Sequence, residues 1–82
     1  MLKIKDNVDL KRLEEFGFEE YKYKYFRDIE NTYLTIIVEK DTRKILCCNY
    51  GYGGLKKIDK YIQYIQYIQD LIQAGLVEKV GD

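Results

Sequence analysis

The chain predicts an α+β fold: a three-stranded antiparallel sheet packed by one short N-terminal helix and one long C-terminal helix, in the order α-β-β-β-α. Three observations lead there. A capped apolar stripe opens the chain. Three alternating or β-branched runs occupy its middle. Isoleucines at helical spacing run through "YIQYIQYIQ", Tyr61 to Gln69, near its end. At 82 residues the chain is read as a single domain, residues 1–82. A chain this short buries roughly 60–65% of the surface its unfolded form exposes, so its core is small.

The first helix is read from "DNVDLKRLEEFGF". Asp9 is a good N-cap, and Val8 with Leu13 forms a hydrophobic staple. Leu10, Leu13 and Phe16 make the apolar stripe, and Gly17 suits the left-handed end, with Phe18 folding back on Leu13. "LKIK" ahead of it alternates as a short terminal strand would. "YKYKYFR", Tyr21 to Arg27, alternates strictly, which predicts one strand with three tyrosines on one face and Lys22 and Lys24 on the other. "TYLTIIVEK" is rich in β-branched residues and reads as the central strand. "DTRK" is a turn in which Asp41 can bond its own backbone, and "ILCCNY" returns as the third strand. Leu34, Ile36 and Val38 share one face of the central strand, and Tyr33 and Ile37 the other. Helices cover one of those faces. A one-residue slip in the turn would exchange the faces, so the inward member of Cys47 and Cys48 is left open.

For the triplet repeat, period two scatters glutamines over both faces. At about 100° per residue, Ile58, Ile62, Ile65, Ile68, Ile72 and Leu76 instead form one stripe, spaced 4, 3, 3, 4 and 4. The spacing predicts a helix over 55–74, roughly 30 Å long, closed by Gly75 with Leu76 returning to Leu71. A three-residue repeat drifts about 60° per triplet against the helix, so Tyr61, Tyr64 and Tyr67, joined by Leu71, widen the apolar arc. Tyrosines lying along the core edge with wet hydroxyls are one reading. A partner surface is the other, because tyrosine is enriched at interface hot spots. The expected partner-binding set is therefore Tyr61, Tyr64, Tyr67, Leu71, Ile37 and Tyr33.

Composition narrows the chemistry. Lys+Arg and Asp+Glu balance at 14 each. Residues 1–20 carry four basic and six acidic groups, residues 21–60 nine and five, and residues 61–82 one and three. There is no His, Ser, Pro or Trp. A Ser-His-Asp triad or a His-based acid–base pair cannot be built, and two cysteines without His fall short of a zinc site. No catalytic group, metal or cofactor is expected. The carboxylate pairs Glu14–Glu15 and Glu19–Glu20 read as solvated surface. Adjacent Cys47 and Cys48 fit a reducing cytoplasm, and the charged start carries no signal peptide or membrane span. "NYGYGGLKK" places glycines and Lys56 and Lys57 between a strand and a helix start, where backbone N–H groups can meet phosphate, but the P-loop spacing is absent. Lys22, Lys24 and Arg27, interleaved with tyrosines, resemble a single-strand-binding sheet, although alternation sets the two groups on opposite faces.

"DNVDLKRLEEFGF" and "DLIQAGLVEKV" resemble small phage and prophage proteins of low-GC Gram-positive bacteria. The resemblance implies a mobile-element setting in a bacterial cytoplasm. There, small cofactor-free proteins bind and inhibit host enzymes, including CRISPR and other defence complexes. "YIQDLIQAGLVEKV" also resembles the exit of a winged-helix recognition helix, although only Gly81 and Asp82 follow where a wing would stand. The expected function is a non-catalytic protein-binding module directed at a host protein. The alternative is a small nucleic-acid binder using Lys22, Lys24, Arg27, Lys56 and Lys57. A homodimer is compatible with either.

Overall fold

In a computed structural model, residues 1–51, 54–58 and 65–80 are described. The chain opens with strand β1, Leu2–Ile4, followed by a 3-10 helix over Leu10–Phe16. Then come β2 (Glu19–Tyr21), β3 (Lys24–Asp28), β4 (Leu34–Glu39), β5 (Ile45–Gly51) and β6 (Gly54–Ile58). A 3-10 turn over Gln66–Ile68 runs into the short helix α1, Gln69–Gln73, and β7, Val77–Lys79, follows. β2 to β6 form a five-stranded antiparallel sheet in chain order. β1 and β7 form a separate antiparallel pair.

The expected three-stranded sheet with a long C-terminal helix is thus corrected: the described residues form two sheets and short helices. Two local events produce the difference. The run "YKYKYFR" is not one strand but a hairpin, closed by Lys22 and Tyr23 between the paired residues Tyr21 and Lys24. Lys22 takes φ 50°, a positive value at the first loop position, which a two-residue hairpin loop can require. The helix over 55–74 fails at its start, because 54–58 pair with β5 as β6. That pairing satisfies backbone groups along β5 that would otherwise face outward as an unpaired edge. Residues 59–64 lie outside the described residues, and with them the expected Tyr61 and Tyr64.

Other local expectations hold. Asp9 Oδ1 accepts the Lys11 N–H at 3.0 Å, and Gly17 turns left-handed at φ 85°. The Phe18 N–H then reaches the Leu13 carbonyl at 3.1 Å. The same closure ends α1, where Gly75 has φ 76° and the Leu76 N–H donates to the Leu71 carbonyl at 3.1 Å. Each closure folds an apolar residue back into the core: Leu13, Phe18, Leu71 and Leu76 are all buried.

Both helical pieces and the β1–β7 pair cover one face of the large sheet. Its inward rows are Tyr25, Val38 and Ile45, then Arg27, Ile36 and Cys47, each row set by register. They meet Leu2, Ile4, Leu13, Phe18, Ile68, Leu71 and Leu76 in one cluster. The small sheet is moored at the β4–β5 turn. There Ile4 N–H donates to the Arg43 carbonyl at 2.9 Å, and the Arg43 guanidinium returns bonds to the carbonyls of Lys5 and Val8 at 2.8 and 2.6 Å. Asp41 bonds locally, its Oδ1 accepting the Thr42 N–H at 2.8 Å.

Candidate protein-binding face

Alternation along each strand sends the remaining side chains to the opposite face of the sheet. Its middle row is Phe26, Ile37 and Leu46, and beside it Asp28, Thr35 and Cys48 stand in register. The hairpin adds a third row. Because Tyr21 and Lys24 are cross-strand partners, they project to the same side, and Glu19 opposite Phe26 joins them. The result is a mixed face of rings, aliphatic side chains and both signs of charge, in which Thr35, Ile37 and Cys48 are themselves buried.

This face is hollowed. A groove of ≈ 600 Å³ is lined by Tyr21, Lys24, Phe26, Asp28, Tyr33 and Thr35, among others. A second hollow of ≈ 440 Å³ lies beside it over Ile37, Leu46 and Cys48, sharing Lys24. Tyr33 is 71% exposed, Tyr21 52% and Tyr23, at the hairpin tip, 86%. Lys22 Nζ lies 5.4 Å and Lys24 Nζ 6.0 Å from the Tyr21 ring centroid, so two ammonium groups share one ring. At the groove's other end the Thr35 hydroxyl donates to Asp28 Oδ1 at 2.7 Å.

The expected site residues separate into distinct settings. Tyr33 lines the groove, and Ile37 sits in the middle row but is only 6% exposed. Tyr67 is half-buried against the core, and Leu71 is wholly buried, so Leu71 holds the fold rather than presenting a surface. Lys22 and Lys24 flank the hairpin. Lys56 and Lys57 lie in β6, opposite Asn49 and Cys48 in register. Arg27 is turned inward: it donates to the Phe16 carbonyl at 2.8 Å, to Asp70 Oδ2 at 2.7 Å and to the Tyr67 carbonyl, and stacks 4.7 Å over the Phe18 ring. Its guanidinium is therefore committed within the fold.

Phe26, Asp28 and Thr35 are not singled out by the sequence as binding residues, and Tyr21 enters there only as a stacking ring of the single-strand-binding reading. The β3–β4 register groups Phe26, Asp28 and Thr35, and Tyr21 joins them through the hairpin in "YKYKYFR", which the sequence marks with no glycine, asparagine or proline.

Burial, and to a lesser degree Cys48, pushes the Cys47 thiol up, which keeps it protonated and weakly nucleophilic. Burial likewise raises the Tyr25 phenol. The Lys40 ammonium, hydrogen-bonded to Glu20, holds that carboxyl below its usual range. Among the described residues no three His, Cys, Asp or Glu side chains are grouped to hold a metal ion, and no helix is long and apolar enough to cross a membrane.

A scan against protein-family models finds no match, and comparisons with curated proteins and with solved structures find none either.

Proposed function

We propose that the protein is a non-catalytic protein-binding module that uses the sheet face opposite its core. The single observation behind this reading is the groove flanked by the exposed rings of Tyr21 and Tyr33. Exposed aromatic side chains beside a concave apolar floor are the usual anchors of protein interfaces. The partner in this reading is a host bacterial protein, and the sequence's resemblance to phage proteins directs it to a defence complex such as CRISPR. Of the interface expected at the C-terminal helix, Leu71 is in the core and leaves the set, while Tyr61 and Tyr64 lie outside the described residues.

A photo-crosslinking amino acid at position 33, introduced in a bacterial host, tests the proposal. It should trap a discrete polypeptide. That polypeptide, once purified, should bind the wild-type chain, and binding should fall at least about tenfold in a folded Tyr21→Ser, Tyr33→Ser variant. Undiminished binding by that variant removes this face as the site.

A second reading is favoured by the hairpin, which brings Tyr21 and Lys24 to one side as a stacking ring and a cation for single-stranded nucleic acid. Glu19, Asp28 and Glu39 share that face and oppose a polyanion. A gel shift at low salt separates the two: retention of an oligonucleotide that weakens steeply with salt supports nucleic acid, and no retention removes it.

A further inference from the structure

The groove is charged at its two ends and apolar between them. Lys24 and Asp28 belong to the same face of β3, four residues apart, which is about 13 Å in strand geometry. Phe26 lies midway, and the rings of Tyr21 and Tyr33 line the groove around it.

Neither end is neutralised by an ion pair among the described residues. Among the described residues, ion pairs join Lys3 to Asp6 and Glu78, Arg12 to Glu15, Arg27 to Asp70 and Lys40 to Glu20. Lys22, Lys24 and Asp28 take part in none. Among the described residues the two lysines meet the Tyr21 ring and Asp28 accepts the Thr35 hydroxyl. Glu39, opposite Lys24 in register, accepts the Thr42 hydroxyl at 2.8 Å instead of pairing with it. Unpaired surface charges of this kind cost the free protein little and set the orientation of whatever binds between them.

We infer that the groove receives an extended peptide segment of the partner protein, carrying an acidic side chain at Lys22 and Lys24, an apolar one over Phe26 and a basic one at Asp28. In an extended chain the side chains at i, i+2 and i+4 share a face, so the segment reads acid-x-apolar-x-base in one direction or the other. A nucleic-acid strand lying along the same path would set phosphates over Asp28 and beside Glu19, where like charges repel. This inference rests on the protein-binding reading and adds the chemistry of the bound segment.

Fluorescein-labelled peptides test it by anisotropy: Glu-Thr-Leu-Thr-Lys, with the matched Lys-Thr-Leu-Thr-Lys and Glu-Thr-Leu-Thr-Glu. The mixed-charge peptide should bind about tenfold more tightly than either control. Asp28→Lys should shift the preference to the doubly acidic peptide, and Lys22→Gln with Lys24→Glu to the doubly basic one. If Lys24→Glu disturbs folding beside Glu39, Lys22→Gln with Lys24→Gln should simply abolish discrimination at the acidic end. Equal binding of all three peptides, still weakened by Tyr33→Ser, overturns the charge pattern and leaves the protein-binding reading standing. Peptide binding that Tyr33→Ser leaves unchanged overturns both. Tighter binding of an oligothymidylate than of any peptide overturns the inference in favour of nucleic acid. A concentration-dependent dimer lost in Tyr33→Ser overturns it in favour of a second copy.

Discussion

Replacing Arg27 with alanine should be among the most damaging single changes in the sheet, although the residue resembles a surface cation in the sequence. Its side chain is 16% exposed and ties three parts of the chain together. It reaches the Phe16 carbonyl at the end of the first helical segment, and the Tyr67 carbonyl and Asp70 in the C-terminal one. Hydrogen bonds from a charged donor contribute about 1.5–3 kcal/mol each, so the two carbonyl bonds contribute about 3 kcal/mol at the lower end. Asp70 is 45% exposed, and solvent screening limits that ion pair to about 1 kcal/mol or less. The stack on Phe18 adds about 0.5–1 kcal/mol. These contributions share one side chain and do not add fully, which brings the expected loss to about 3–4 kcal/mol. A chain of this size has about 4–12 kcal/mol in total.

Urea denaturation followed by far-ultraviolet circular dichroism, at low and high salt, measures that loss. Arg27→Lys keeps the charge but not the planar fork, so it should recover less than half of it. The loss should persist in high salt, because bonds to shielded carbonyls are screened little. A loss under about 1 kcal/mol, or one that salt erases, would refute the clamp and reduce Arg27 to a surface ion pair with Asp70.

Further outcomes follow from single positions. Gly17→Ala should cost about 1–2 kcal/mol in the same assay: its φ of 85° is left-handed, while a methyl group there would meet Arg27 Cδ only at an ordinary 3.5 Å, so the cost is conformational. Cys47 and Cys48 should resist a thiol reagent at pH 8 in the native protein and react quickly in denaturant, since both are buried; rapid native labelling of Cys47 would contradict its place in the core. Glu20→Gln should weaken the fold at neutral pH. The Glu20 carboxyl is lowered in the folded state by Lys40, so its contribution is present above the unfolded pKa and is lost as pH falls through the folded one. The gap between wild type and variant should therefore close in acid, and a gap that widens there would reverse the assignment.

The parts of this fold legible in the sequence are those fixed by neighbours in the chain. Asp9, Gly17 and Gly75 mark helix ends through bonds spanning a few residues, and all three act as their types suggest. Leu34–Glu39 is a strand by composition alone. The failures involve pairing between distant or ambiguous segments. In "GLKKI", Ile58 fits the helical stripe, but the backbone opposite β5 claims the segment for a fifth strand. In "YKYKYFR", strict alternation describes a single strand equally well. Only pairing shows that Lys22 and Tyr23 turn the chain, sending Tyr25 inward and Tyr21 outward. Arg27 shares the inward side with Tyr25, a consequence of the same register.

That register also divides the cations by chemistry. Arg27 and Arg43 each place one planar guanidinium on two backbone carbonyls, Arg27 on those of Phe16 and Tyr67 and Arg43 on those of Lys5 and Val8. Arginine suits this work because it is always charged, is weakly hydrated and offers several donors in a fixed plane. A small core gains from such clamps, which join loops to the sheet where apolar area is scarce. Lys22 and Lys24 are point charges on flexible stems that lie against a ring. Arg27 and Arg43 are thus used inside the molecule, while these two lysines remain at the mouth of the groove. Neutralising them should leave the melting curve nearly unchanged, since neither makes an ion pair among the described residues. Removing Arg27 should do the opposite. A folded Lys22→Gln, Lys24→Gln variant that melts like wild type but no longer distinguishes an acidic from a basic peptide end would separate recognition from stability within a single hairpin. An equal loss of stability from both changes would show that the hairpin lysines are structural after all.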